Sequence, residues 1–132
     1  MTVAEERYMG RVARLGCIVC FNRGILNVPA TVHHVRDGQG MGDRASDFDT
    51  LPLCPEHHQH GGYGVALHAG REEWERRYGT ERQLLAQTRQ MLGVSEEWIA
   101  EMKARAAGGS ALSSTKIVPR ALGAVASTKK EW

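Results

Sequence analysis

The fold of this chain is decided by an eight-residue segment, Leu51-Pro52-Leu53-Cys54-Pro55-Glu56-His57-His58. Within it, Cys54 and His57 are separated by two residues, so one tight turn can present both side chains to a single metal ion. A second pair with the same spacing, Cys17 and Cys20, lies upstream. The four residues together predict a closed, structural zinc site.

Length and composition explain why such a site is useful. The chain has 132 residues, of which 42 % are hydrophobic, and this predicts one domain with a modest core. The segment from residue 17 to about residue 60 is rich in loops and has too little apolar surface to order itself. Zinc binding would supply the missing free energy, because ligands that meet only in the folded state make metal binding a part of folding.

Cysteine usage indicates a reducing compartment. Three cysteines are an odd number, and the sequence contains neither a signal peptide nor an apolar run of membrane length. A secreted disulfide framework is therefore not expected, and we predict a cytoplasmic protein without membrane association.

The histidine doublet His33-His34 carries a different chemistry. An imidazole whose lone pair binds a metal cannot also accept a proton from water, but two neighbouring rings can divide these tasks. His58 follows the predicted zinc ligand His57 directly, so the zinc turn would hold its backbone in place. His68 follows a short apolar turn that could return it to the same site, whereas His60 lies in a glycine-rich loop and is left without a role.

The region between the two ligand pairs is typical of a hairpin with a long connection. A short strand is predicted from Asn27 to Val32, running into His33, and a second from Thr50 to Leu53. The polar stretch between them contains Gly38, Gly40 and Gly42, which favours a loop.

Helical patterns occupy both sides of this hairpin. The first 16 residues are predicted to form a helix that ends at Gly16. Further helices are predicted to begin near Arg71, after the capping-box residue Thr80 and after the N-cap residue Ser95. The expected organisation is an N-terminal helix (1–16), a domain with C-terminal helices (17–106) and a disordered basic tail (107–132).

Charge is unevenly distributed. The formal net charge is only +2, yet residues 107–132 contain four basic residues against one acidic residue. The folded part is therefore not expected to attract nucleic acid strongly, and any contact with DNA should be local and weak, or assisted.

Two other classes of zinc enzyme are excluded by their motifs. A zinc deaminase needs a glutamate two residues after a ligating histidine, but Val35 follows His33 and Arg36 follows His34 at that spacing. A zincin protease needs His-Glu-x-x-His on a helix, and the sequence contains no such string.

The ligand pairs, the doublet and the segment 51–58 together resemble an HNH, or ββα-metal, endonuclease. The glycine loop 38–47 is similar to one in small phage and prophage HNH proteins. The order of Leu67-His68, then Tyr78-Gly79-Thr80, then Leu84-Leu85 resembles the Ref-type phage recombination-enhancement nucleases, which depend on a recombinase filament. The resemblance covers roughly residues 17 to 92 and implies an α+β fold with a zinc-stapled ββα-metal core packed on several helices.

The resemblance also implies roles for individual residues. His33 and His58 would bind a catalytic divalent metal, Mg²⁺ or another ion, and His34 would be the general base. His68 and Asp49 are further candidates for that metal, Asp49 being the nearest match to a motif position often held by asparagine. Arg36 or Arg44 would contact a DNA phosphate.

The expected function is metal-dependent hydrolysis of DNA phosphodiester bonds in phage or prophage recombination or DNA processing. DNA is the expected substrate, and a recombinase filament or another phage recombination protein is the expected partner. The alternative is a non-catalytic zinc-binding module that grips DNA or a recombination protein. The His33-His34 doublet favours the enzyme, because a purely structural knuckle has no use for it.

Overall fold

A computed structural model describes residues 1–36 and 45–108. Within these ranges the chain forms five α-helices, a two-stranded sheet and two short helical turns. The elements, in chain order, are α1 (Val3–Arg14), α2 (Ile18–Asn22), β1 (Thr31–His34), β2 (Thr50–Leu53), a π-helical turn (Glu56–His60), a 3₁₀ turn (Leu67–Ala69), α3 (Arg71–Tyr78), α4 (Glu81–Leu92) and α5 (Glu96–Ala106). The predicted α+β class is confirmed for the described residues.

The two strands form an antiparallel pair, with His33 opposite Leu51 and His34 opposite Thr50. The second strand occupies the predicted residues. The first begins at Thr31 rather than Asn27, so its predicted bounds were wrong. The residues just before Thr31 contact the Cys17–Cys20 turn instead. The Cys17 amide donates a hydrogen bond to the Val28 carbonyl at 2.9 Å.

A π-helical turn, and not an α-helix, follows β2. It ends at Gly61, where a side chain would have no room, because a Cβ there would lie 2.5 Å from the Glu56 carbonyl oxygen and 2.5 Å from a Val65 methyl group. The next α-helix begins only at Arg71. The glycines after His58 therefore interrupt the helix that a ββα core would place here.

The helices of the C-terminal half begin and end where their capping residues predict. Thr80 and Gln83 form the reciprocal hydrogen bonds of a capping box at the start of α4. Gly93 ends that helix in the left-handed conformation, with φ at 76°. Ser95 caps α5 by accepting a hydrogen bond from the Trp98 amide. These local signals fix the ends of two helices independently of tertiary contacts.

Two groups of buried side chains form the core. One surrounds the cysteines and includes Trp74, which is fully buried and donates its indole N–H to the His57 carbonyl at 3.1 Å. The other joins α1, α5 and the segment just before β2 through aromatic contacts between Tyr8, Phe48 and Trp98. The sheet lies between helices and is held on both sides.

Among the helices in residues 1–36 and 45–108, none has the length and apolarity needed to cross a membrane. The predicted tail falls almost entirely on residues 109–132, which lie outside the described part of the chain.

Candidate functional site

The first candidate metal centre contains the four residues of the predicted zinc site. The ligand atoms of Cys17, Cys20, Cys54 and His57 lie within 4.8 Å of one another, and all four residues are buried. The His57 Nδ1 atom lies 3.6, 3.5 and 3.2 Å from the Sγ atoms of Cys17, Cys20 and Cys54, and the Cys20 and Cys54 sulfurs are 3.9 Å apart.

These separations fit a zinc ion. With ordinary zinc bond lengths, tetrahedral ligands lie about 3.8 Å apart for two sulfurs and about 3.6 Å apart for sulfur and nitrogen. The Cys20 amide also donates to the Cys17 sulfur at 3.5 Å, which offsets part of the charge that a thiolate would carry. The four buried side chains would fill all four positions of a tetrahedral zinc ion and leave none for water, so this centre is closed. We call it the cysteine centre.

Burial disfavours the charged forms of the side chains in the cysteine centre. Burial raises the pKa of the Cys20 thiol to about 12, and hydrogen bonding to Cys17 raises it as well. Burial also lowers the pKa of His57. Both shifts favour neutral side chains, so a divalent cation is the natural source of compensation for thiolates placed here.

The second candidate centre is formed by three histidines from three separate elements, which we call the histidine cluster. His33 lies on β1, His58 in the π-helical turn and His68 in the 3₁₀ turn. The His58 Nε2 atom lies 3.2 Å from His33 Nδ1 and 3.0 Å from His68 Nε2. The three nitrogens converge within 4.8 Å of one another.

Three converging imidazole nitrogens can hold a divalent transition-metal ion. Nitrogens bound to one first-row ion at about 2.0–2.1 Å lie roughly 3.0–3.4 Å apart. Burial, followed by the neighbouring His33 and His68 rings, lowers the pKa of His58 to about 4. The His58 ring is therefore neutral at physiological pH and has a lone pair to offer.

Behind the histidine cluster stands a carboxylate that the sequence did not single out. The Glu81 Oε1 atom lies 3.2 Å from His33 Nε2, and Glu81 is only 5 % exposed. Its second oxygen pairs with Arg71 at 3.2 Å. An Nε2–H that donates to Glu81 leaves His33 Nδ1 as the atom with a free lone pair, on the side of His58. Glu81 looks like any acidic residue of a helical first turn, so sequence patterns carry no signal for this contact.

The neighbour of His33 makes a separate contact. The His34 Nε2 atom lies 2.7 Å from Asp47 Oδ1, across the end of the hairpin connection. With the carboxylate as acceptor, Nε2 carries the hydrogen and Nδ1 is left to accept a proton. Asp47 lies in the loop whose sequence carries the family resemblance, but no spacing rule distinguishes it from the other acidic residues there.

A cleft of about 240 Å³ connects these features. It is lined by His33, His34, Arg36, Leu67, His68, Arg71 and Glu81. Both residues of the doublet, of which His33 also belongs to the histidine cluster, thus share one opening with His68 and two arginines. The predicted phosphate ligand Arg36 lies on this cleft, and Arg44 lies outside the described residues.

The group of converging nitrogens that could hold a metal ion does not include Asp49. One carboxylate oxygen of Asp49 pairs with Arg89 at 2.6 Å and the other with Lys103 at 2.9 Å. Asp49 is 8 % exposed, and these cations on α4 and α5 satisfy its charge. Asp49 links the sheet to the C-terminal helices. His60, for which no role was predicted, is exposed in the π-helical turn.

Fold and site together define a small α+β protein with one closed cysteine centre and one histidine cluster that opens onto a polar cleft. The model of a family described as "Recombination enhancement, RecA-dependent nuclease" matches residues 1–93. The chain belongs to this family. The match includes both candidate metal centres, both strands and helices α1 to α4.

Proposed function

We propose that this protein is a metal-dependent endonuclease of the HNH type that hydrolyses DNA phosphodiester bonds in recombination. The observation that carries the proposal is the pairing of His34 with Asp47 next to three converging histidines, two of which, His33 and His68, line the same cleft as His34. The family description, which names a nuclease, supports the same activity. A zinc-binding module without catalysis would need only the cysteine centre.

In this proposal His34 is the general base. Asp47 holds the ring by its Nε2–H, so that Nδ1 can take a proton from a water molecule in the cleft. The water oxygen attacks phosphorus in line with the leaving 3′ oxygen, and the P–O3′ bond breaks as the new P–O bond forms. Asp47 stabilises the imidazolium that results, as a carboxylate does for any histidine base.

His33, His58 and His68 would hold the catalytic ion. When bound, a divalent ion would stabilise the negative charge that grows on the phosphate and on the leaving oxygen. Glu81 would keep His33 in the ring orientation that presents Nδ1. His68 thus replaces Asp49 as the third proposed ligand. An all-imidazole set suits ions such as Fe²⁺, Ni²⁺ or Zn²⁺ better than Mg²⁺, which favours oxygen ligands.

Arg36 and Arg71 would bind the DNA backbone. Both line the cleft next to the histidines, and a guanidinium group matches two phosphate oxygens at once. Arg71 already pairs with Glu75 and Glu81, so its guanidinium is oriented before a phosphate arrives. The net charge of the whole chain is only +2, so a partner that presents the DNA would help. The family description, which names a RecA-dependent nuclease, supports RecA as that partner.

The direct test is cleavage of labelled single-stranded and plasmid DNA by purified protein, with and without a RecA filament. The protein is first treated with a mild chelator and then supplied with Mg²⁺, Mn²⁺, Co²⁺, Ni²⁺ or Zn²⁺. We expect cleavage only with added metal, and at lower concentrations of the transition ions than of Mg²⁺. Absence of cleavage with every ion and both DNA forms, with and without RecA, would overturn the proposal.

A further inference from the structure

Beside the cleft, Tyr63 is the most exposed large aromatic side chain among the described residues, with 73 % of its surface accessible. It belongs to the turn that joins the π-helical turn to the 3₁₀ turn, the two elements that supply His58 and His68. An exposed aromatic residue is unremarkable by itself. Two features of the backbone distinguish this one.

The first feature is that the backbone on both sides of Tyr63 adopts a conformation that favours glycine. Gly62 and Gly64 have φ angles of +85° and +86°, which residues with side chains rarely adopt. The turn is closed by hydrogen bonds from the amides of Val65 and Ala66 to the Gly62 carbonyl, at 3.0 and 2.8 Å. Tyr63 is therefore held outward on a closed turn.

The second feature is the contact between the Tyr63 ring and the backbone at Gly70. An ideal Cβ on Gly70 would lie 2.7 Å from Cε1 and 2.8 Å from Cδ1 of Tyr63, and every close atom around that position belongs to this ring. The φ of Gly70 is 169°, an extended conformation open to any residue. A side chain at position 70 would therefore meet the edge of the Tyr63 ring, which rests against Gly70. The next residue, Arg71, lines the cleft.

We propose that Tyr63 is a stacking platform for an unpaired base of a DNA strand whose phosphate occupies the cleft. The ring is seated on the backbone beside a proposed phosphate ligand, and much of its surface stays open to solvent. A flat aromatic face binds any base that is free of its own stack, whereas bases inside a duplex are already stacked and paired. The inference rests on the proposed nuclease function and adds a preference for single-stranded DNA.

The test measures binding in the His34→Ala background, which keeps both metal centres. Fluorescence anisotropy compares a labelled single-stranded oligonucleotide with its matching duplex. We expect Tyr63→Ala to weaken single-strand binding by about 5- to 100-fold, the usual contribution of one stacked base. Tyr63→Phe should bind like the parent protein, and duplex binding should change much less.

Gly70 provides a second variant that leaves the tyrosine in place. Gly70→Ala should displace the ring and weaken single-strand binding, yet add no further loss to Tyr63→Ala, because the new methyl group then has room. Leu26→Ala, which truncates another exposed apolar side chain, is the matched control and should have no effect. The fluorescence of 2-aminopurine in the strand should be quenched by the parent protein and not by Tyr63→Ala.

Three results would overturn the inference: single-strand binding by Tyr63→Ala equal to the parent, equal losses for single strand and duplex, or no single-strand binding by the parent. The two proposals can fail separately. If the wild-type protein cleaves DNA but Tyr63→Ala binds and cleaves equally well, only the stacking proposal is wrong. If single-strand binding depends on Tyr63 but the wild-type protein cleaves no DNA, only the nuclease proposal is wrong.

Discussion

His57 and His58 are consecutive in the chain, yet they enter two centres of opposite character. His57 is buried and faces three cysteine sulfurs, while His58 faces two imidazoles beside an open cleft. The π-helical turn makes this possible, because neighbouring residues of one short turn point in different directions. One turn thus joins a closed centre suited to holding the fold and an accessible one suited to chemistry.

The two centres also differ in what surrounds their ligands. The cysteine centre is enclosed by apolar residues, including Trp74, whose indole holds the turn through the His57 carbonyl. The histidine cluster is backed by the carboxylate of Glu81 and flanked by the His34–Asp47 pair. Apolar enclosure retains a metal, whereas a polar surrounding leaves room for water and substrate. We therefore expect mutations in the two centres to have separable effects.

The largest effect should follow from Cys54→Ser. Three ligands hold zinc far more weakly than four, and structural zinc contributes about 10–16 kcal/mol in small zinc domains. We expect loss of bound zinc and unfolding of the region from residue 17 to about residue 60, measured by elemental analysis and circular dichroism. His58→Ala is the matched variant and should keep the zinc of the cysteine centre and the fold. Well-folded wild-type protein without zinc would contradict this prediction.

Next in size is the effect of His34→Ala on cleavage. A positioned general base contributes on the order of 10²–10⁴-fold to the rate. We expect a loss of kcat in this range, with metal content and DNA affinity close to wild type, because the base acts mainly in the transition state. His60→Ala, which removes an exposed histidine from the π-helical turn, should cut normally. A His34→Ala protein as active as wild type would show that another group is the base.

A smaller effect is expected when the support behind His33 is weakened. Glu81→Gln should lower the affinity of the histidine cluster for its metal by about 10- to 100-fold, the usual consequence of removing an orienting carboxylate. Calorimetric titration of Co²⁺ or Mn²⁺ into chelator-treated protein measures this affinity. Glu72→Gln, on the exposed face of α3, is the control. Unchanged affinity in Glu81→Gln would mean that the contact with His33 does not orient the ring.

The smallest effect on both centres should come from Asp49→Asn. This change removes the charge that pairs with Arg89 and Lys103, so we expect a loss of about 1–3 kcal/mol in the free energy of unfolding. Metal content and cleavage per folded molecule should remain those of wild type. Denaturant unfolding and elemental analysis measure the two quantities. A selective loss of the metal bound by the histidine cluster would return Asp49 to the list of candidate ligands.

The sequence alone predicted the features that depend on residues a few positions apart. The C-x2-C and C-x2-H spacings identified the four members of the cysteine centre, because a turn of that length brings two side chains to one point. The strand 50–53 and the ends of α4 and α5 followed from residue propensities and capping signals, which act over a few positions. His58 was marked by its position next to His57, and the doublet by its two adjacent imidazoles, which can divide metal binding and proton transfer between them.

Contacts between distant parts of the chain were decided only by the tertiary structure. His68 joins the cluster because the 3₁₀ turn folds back over His58, and Glu81 reaches His33 from the start of α4, 48 residues away. Asp49 directly precedes the strand that pairs with the doublet, but it faces Arg89 and Lys103 on the C-terminal helices. Spacing determines which side chains a single turn can bring together. Which carboxylate stands behind which histidine depends on how separate elements pack, and no local pattern encodes that.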